Sequence, residues 1–291
     1  MSDSTTKFVL YHYTPSLAAA GIFVVLFLAT AFLHTFQLFK NRTWYFIPFL
    51  IGGFFEPMGY IGRAISSKQS PNWTIGPYVA QSLLTLLAPT LFAASIYMIL
   101  GRIIRLTDGE QHSLIRARWL TKVFVGGDVL SFLAQSAGGG MMATAKTASA
   151  QKNGQYAITG GLFIQVVFFG FFMIVAGLFH YRISLRPTNR SITVMVPWQR
   201  YLLVLYVAST FIMIRSVFRI AEYVQGQDGS LLKTEKYLYL FDATLMFLTM
   251  VLFNVFHPSK IISKEVMKGK WSSVEGGIAY EYDSSVPLEQ R

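Results

Sequence analysis

Apolar runs long enough to cross a bilayer recur from one end of this chain to the other, and they leave room for few other architectures. They fall at about residues 17–39, 44–66, 76–101, 120–143, 156–180, 200–222 and 237–257, each near the ~20 residues that span a hydrocarbon core as a helix. Only 13% of residues are charged, against roughly 25% in a soluble domain, so a water-facing surface is short of charge. The expected fold is an all-α integral membrane protein, a bundle of seven transmembrane helices. Residues 17–257 form its membrane domain, 1–16 a short extracellular N-terminus, and 258–291 a polar cytoplasmic tail read as disordered.

Lysine and arginine set the orientation. Lys40, Arg42, Arg102, Arg105, Arg116, Arg118, Arg182, Arg186, Arg190 and Arg200 fall on one side, joined by five more in the tail; Lys7, Lys68, Lys146, Lys152, Lys233 and Lys236 fall on the other. The positive-inside rule then puts the N-terminus outside and the C-terminus in the cytoplasm. Trp44, Tyr45, Trp119, Tyr181, Trp198 and Tyr237 mark span ends as interfacial anchors. The sequon Asn72-Trp73-Thr74 faces outward, close to the membrane.

Several function classes are set aside by what the chain carries. It has no cysteine, hence no disulfide, thiolate or Cys-ligated zinc. The net charge of +11 fits basic cytoplasmic loops facing anionic lipid, and no nucleic-acid partner is expected. No phosphate-loop motif occurs, so no ATPase motor of that kind is built in. Span seven, "YLYLFDATLMFLTMVLFNVF", has no lysine to hold retinal, and "LGRIIRL" stands where a G-protein-coupled receptor would carry its acidic-Arg-Tyr motif. No cleavable signal peptide is read in "MSDSTTKFVLYHYTPS".

The charges inside the spans are the informative residues. Arg215, Arg219 and Glu222 follow fourteen uncharged residues, Tyr201 to Ile214, and at 100° per residue share an arc about 60° wide. In span two Gly52, Glu56, Gly59 and Arg63 share a face, and Asp242 lies early in span seven. By the derived orientation all six charges occupy the outer half of the membrane, three acids facing three bases. A lone charge at the bilayer centre costs at least ~2.5–3.5 kcal/mol, so these side chains turn inward and pair, or line water. Pairing explains how they are tolerated and leaves two uses open: interhelical glue, or a polar cavity for a headgroup or ion. In "FVGGDVLSFLAQSAGGGMM" of span four, Asp128, Ser131 and Gln135 share one face, five glycines permit close helix approach, and no base on that helix lies near Asp128. Asp128 is the candidate for proton or substrate coupling. Gln81 and Gln165 read as interhelical hydrogen-bonding residues.

His34, His180 and His257 each end a span on the cytoplasmic side. With an acid they could build a zinc hydrolase, but none share a helix at ligand spacing, so neither metal nor cofactor is expected.

Taken together, "EPMGYIGR", "LLAPTLFAASIYMILGRII", "GGDVLSFLAQSAGGGM", "RSVFRIAEYVQG" and "YLFDATLMFLTMVLFNVFHP" resemble the fungal RTA-like, or lipid-translocating exporter, family from about Tyr11 to Pro258. The family pattern maps onto Glu56, Gly59, Tyr60, Arg63, Asp128, Gln135, Arg219, Glu222, Tyr223 and Asp242. The resemblance implies a seven-span, non-enzymatic protein of the plasma membrane, or of the vacuole, that confers resistance to toxic amphiphiles. Its partners would be membrane lipids or amphiphilic small molecules such as sphingoid long-chain bases or sterol-like drugs; protein partners are not indicated. The expected function is binding and moving such amphiphiles, with Glu56, Arg63, Asp128, Gln135, Arg215, Arg219, Glu222 and Asp242 as substrate-binding or coupling residues. A receptor-like sensor of lipid or membrane stress is the main alternative, and an intramembrane metal-dependent lipid hydrolase a lesser one.

Overall fold

The computed structural model describes residues 13–260 except 146, 195, 226–228, 230, 232 and 233. The expected extracellular N-terminus therefore lies mostly, and the expected tail almost wholly, outside the described residues. Every regular element among the described residues is helical: α1 Leu17–Asn41, α2 Ile47–Lys68, α3 Ile75–Leu106, α4 Ala117–Thr144, α5 Ala148–Leu185, the short α6 Asn189–Thr193, α7 Trp198–Gln225, and α8 Glu235–Val255. A helix satisfies its own backbone hydrogen bonds, which is what lipid demands of a spanning segment.

Five of these, α1, α3, α5, α7 and α8, are long and apolar enough to cross a membrane. Helices α2 and α4 run 22 and 28 residues, but their glycines and buried charges dilute their hydropathy. The outer surface is itself apolar: Ile22, Phe32, Phe36, Val129, Leu133, Phe163, Ile174, Leu203, Val217 and Val255 all stand exposed. Large apolar side chains exposed in such number, on five different helices, suit lipid and not water.

Helix α3 is the most enclosed, with 72% of its most apolar window buried against 28% for α1. Two glycine-lined seams tighten the bundle around it. Between α2 and α3, a Cβ added at Gly52 would come within 2.8 Å of the Ala88 carbonyl, and one at Gly59 within 2.8 Å of Thr85 Cγ2. Between α4 and α5, a Cβ at Gly138 would lie 2.6 Å from the Gly154 carbonyl, and one at Gly161 2.8 Å from the Ser131 carbonyl. Small residues at such seams let backbones approach without the help of a hydrophobic effect, which is absent between helices in lipid. Two aromatic clusters cross the core: Phe46, just before α2, with Phe49, Phe92 and Phe253 joins α2, α3 and α8, while Tyr97, Phe124, Phe169 and Phe172 join α3, α4 and α5.

Two expectations are refined. Five of the seven long helices outrun their apolar stretches, most of all α5, where 156–180 becomes Ala148–Leu185; a hydropathy window sees only the lipid-facing length, while helix propensity continues past it. Trp198 is no interfacial anchor. It is buried, and its indole Nε1 donates to the Ser191 carbonyl at 3.1 Å. Pro57 and Pro89 lie inside α2 and α3, and both helices run on through them.

Candidate functional site

The apolar sequence of α7 ends in charge because its last turns meet the charged ends of its neighbours. Arg215, Arg219 and Glu222 are all buried, as are Glu56 and Arg63 of α2 and Asp242 of α8. The chain resolves this charge into ion pairs. Arg219 Nη1 donates to Glu222 Oε2 at 2.7 Å, one helical turn along the same helix. Its guanidinium also lies over the Tyr223 ring, 5.5 Å from the centroid. Arg215 Nε donates to Asp242 Oδ1, and its Nη2 to the Thr85 carbonyl of α3. One guanidinium thereby ties α7 to both α8 and α3.

Arg63 has a partner that the sequence did not point to. It pairs with Glu235, Nη2 to Oε1 at 2.7 Å, and not with Glu56 on its own face. Its Nη2 also donates to Tyr13 Oη at 2.7 Å and its Nε to Tyr239 Oη at 3.1 Å. The Glu235 carboxylate accepts from the Ser16 backbone N–H at 2.9 and 3.1 Å, anchoring the entry to α1. Beneath this knot Phe23, Tyr60 and Tyr239 stack with centroids 5.3–6.1 Å apart. Glu235 was missed because Lys233 and Lys236 flank it and the segment reads as a solvated loop end.

With Arg63 spoken for, the expected three-on-three pairing becomes two pairs within the set, one pair to an outside acid, and one acid left over. That acid is Glu56. It is fully buried, and neither carboxyl oxygen has a hydrogen-bond partner among the described residues. Arg215 and Asp242 are charged groups in its electrostatic surroundings. Tyr60, one turn further along α2, likewise has a buried hydroxyl without a partner. Facing them, the Tyr239–Ala243 segment of α8 is a π-helical turn that contains Asp242. Such turns inside α-helices frequently occur at functional sites.

A second polar patch lies between α3, α4 and α5. Asp128 accepts from Tyr97 Oη at 2.9 Å through Oδ2, while Oδ1 has no partner among the described residues. Gln135 Nε2 donates to Ser131 Oγ at 2.6 Å and to Gln165 Oε1 at 3.4 Å, and Ser131 Oγ donates to the Gly161 carbonyl at 2.6 Å. The shared face read in span four is therefore real, and Gln165 acts as an interhelical hydrogen-bonding residue. Asp128 stands apart from the ion pairs, with a tyrosine hydroxyl in place of a base. Tyr97 could not be singled out in a chain with 15 tyrosines.

The histidines do not assemble. His34 Nε2 lies 3.0 Å from the Met250 carbonyl, with the His257 ring 6.5 Å away, whereas His180 stacks on Tyr206. Among the described residues no three His, Asp or Glu side chains converge as metal ligands.

Comparison with known proteins places this geometry in a family. The model described as RTA1 like protein matches residues 49–265. Protoporphyrin uptake protein 1 of Saccharomyces cerevisiae is 38% identical, the match covering 88% of this chain and 94% of that protein. Protein RTA1 of the same yeast is 38% identical over 86% of this chain and 85% of its own length. A sphingoid long-chain base transporter, RSB1, is 26% identical over 78% of this chain and 67% of that one. No solved structure matches. With its spanning helices, apolar exterior and matches of this extent, the chain is a multi-pass membrane protein and belongs to the RTA1-like family.

Proposed function

We propose that this protein binds amphiphilic lipids or drugs at its charged end and moves them across the membrane, conferring resistance to them. In this reading all seven long helices span the bilayer, the N-terminus lies outside, and the site in the plasma membrane is non-enzymatic. The observation that carries it is the concentration of buried charge where α2, α7 and α8 meet: Glu56, Arg215, Arg219, Glu222 and Asp242, with Arg63 beside them. Buried ion pairs seldom gain stability over apolar packing, so their presence in lipid calls for a use. Carboxylates suit an amine headgroup and guanidinium groups suit a phosphate. The names of relatives point the same way, one to a sphingoid long-chain base transporter and one to porphyrin uptake. Asp128 serves as the coupling residue, and Gln135 holds its helix to α5.

Efflux tests this reading. Cells preloaded with a fluorescent long-chain base should lose it faster when they express the protein, and Asp128→Asn at equal abundance should slow that loss. Unchanged efflux, together with a long-chain base that still raises the melting temperature of the purified protein, would instead identify a sensor.

A further inference from the structure

Glu56 presents an unsolved charge balance. Among the described residues, the charged groups acting on it are one base and one other acid: Arg215 from α7 and Asp242 from α8. Arg215 is already committed, its Nε to Asp242 and its Nη2 to the Thr85 carbonyl. Helix α3 contributes that carbonyl and no carboxylate, lysine or arginine at this level, since Arg102 and Arg105 lie at its opposite end; its titratable Tyr78 acts on Arg219. The ionisable groups on α1, His34 and Lys40, also belong to the opposite end, where His34 packs beside His257. Tyr60 is the remaining neighbour on α2, and the Arg219–Glu222 pair cancels itself nearby. Two carboxyl groups thus lie near one guanidinium, and one of them, fully buried, has no hydrogen-bond partner among the described residues. Two acids beside one cation, both shielded from bulk solvent, do not readily ionise together, because the second charge has no base of its own among the described residues.

We infer that Glu56 is a proton-binding site, and that Glu56, Arg215 and Asp242 form a switch in which proton release frees Glu56 to compete with Asp242 for Arg215. The proton binds a Glu56 carboxylate oxygen, forming an O–H bond and neutralising the side chain, and leaves from that oxygen when the site opens to water. No other atom changes its bonding. Because Arg215 also grips α3, moving its guanidinium from Asp242 toward Glu56 loosens α8 and the π-turn that carries Asp242. A sodium ion would compensate the same charge, but it requires several oxygen ligands together, beside a fixed guanidinium. The proton site stands on its own geometry; its coupling to lipid movement rests on the transport reading.

Infrared difference spectroscopy of the protein in lipid nanodiscs, titrated from mildly acidic to mildly alkaline pH, tests the site without any transport. A protonated-carboxyl band should titrate in the native protein, persist in Asp128→Asn, and vanish in Glu56→Gln. It should vanish as well in Asp242→Asn, where Arg215 is released to ionise Glu56; this variant leaves Glu56 itself intact should Glu56→Gln fold poorly. A band unchanged in Glu56→Gln, or no Glu56-dependent band, overturns the proposal. In proteoliposomes, an imposed proton gradient should speed movement of a labelled long-chain base several-fold in the native protein and leave Glu56→Gln unaffected. Acceleration by a sodium gradient instead would overturn the proton assignment. Absence of any movement with the band intact would defeat the transport reading and leave the proton site standing.

Discussion

Arg219 and Asp128 differ in what their removal leaves behind. Arg219→Ala strands the Glu222 carboxylate in a buried setting, a loss that typically costs ~3–5 kcal/mol. We expect a sharp fall in the folded fraction on detergent gel filtration; a well-folded, abundant and inactive variant would show that Arg219 contacts substrate. Asp128→Asn keeps an oxygen to accept from Tyr97 Oη and removes only charge. Its abundance should stay near normal while amphiphile efflux per folded molecule falls, and full activity would make Asp128 structural. The charged residues themselves were legible in the sequence, because an ionisable group inside an apolar run has to be accommodated. Their partners were not. Glu56 shares a face with Arg63 along α2, yet Arg63 reaches across to Glu235, and Tyr97 and Tyr239 hide among many aromatic residues. Helical periodicity gives a side chain's direction, not what comes to meet it.

Helices α4 and α5 pack along one line of glycines and not another. Gly138 abuts backbone, with the Gly154 carbonyl 2.6 Å and the Ile158 N 2.8 Å from where a Cβ would stand, whereas Gly139 has nothing within 4 Å. Gly138→Ala should therefore force the helices apart and destabilise the protein by about 1–3 kcal/mol, as overpacking does; Gly139→Ala should be neutral. Thermal unfolding in detergent separates the two, and equal melting temperatures would contradict the packing described. The five glycines of α4 looked equivalent in the sequence, and their division into seam and lipid face followed only from the rotation of α4 against α5. The π-turn at Tyr239–Ala243 left no mark in the sequence either, since one extra residue in a turn changes neither composition nor hydropathy. Span positions were legible from apolarity, whereas helix ends were not, because α3 and α5 continue through polar residues.

For the whole molecule, the proposed topology of seven spans with an outside N-terminus would put the ion pairs near the outer surface and the histidines near the cytoplasm. The cysteine-free sequence allows a direct check. Single cysteines at Lys68 and Lys152, both exposed, should react with an impermeant thiol reagent on intact cells, and one at Arg186 should not; the reverse pattern would invert the orientation. The central claim, that a charged intramembrane site moves amphiphiles between leaflets, meets its most direct test in a purified system. Liposomes containing the native protein and a fluorescent long-chain base are treated with an impermeant quencher, and the fraction that reaches the outer leaflet is followed over time. The account predicts faster transfer than in protein-free liposomes, dependent on the charge of the headgroup and reduced by Asp128→Asn. Transfer at the protein-free rate, or at one rate for every headgroup, would contradict it.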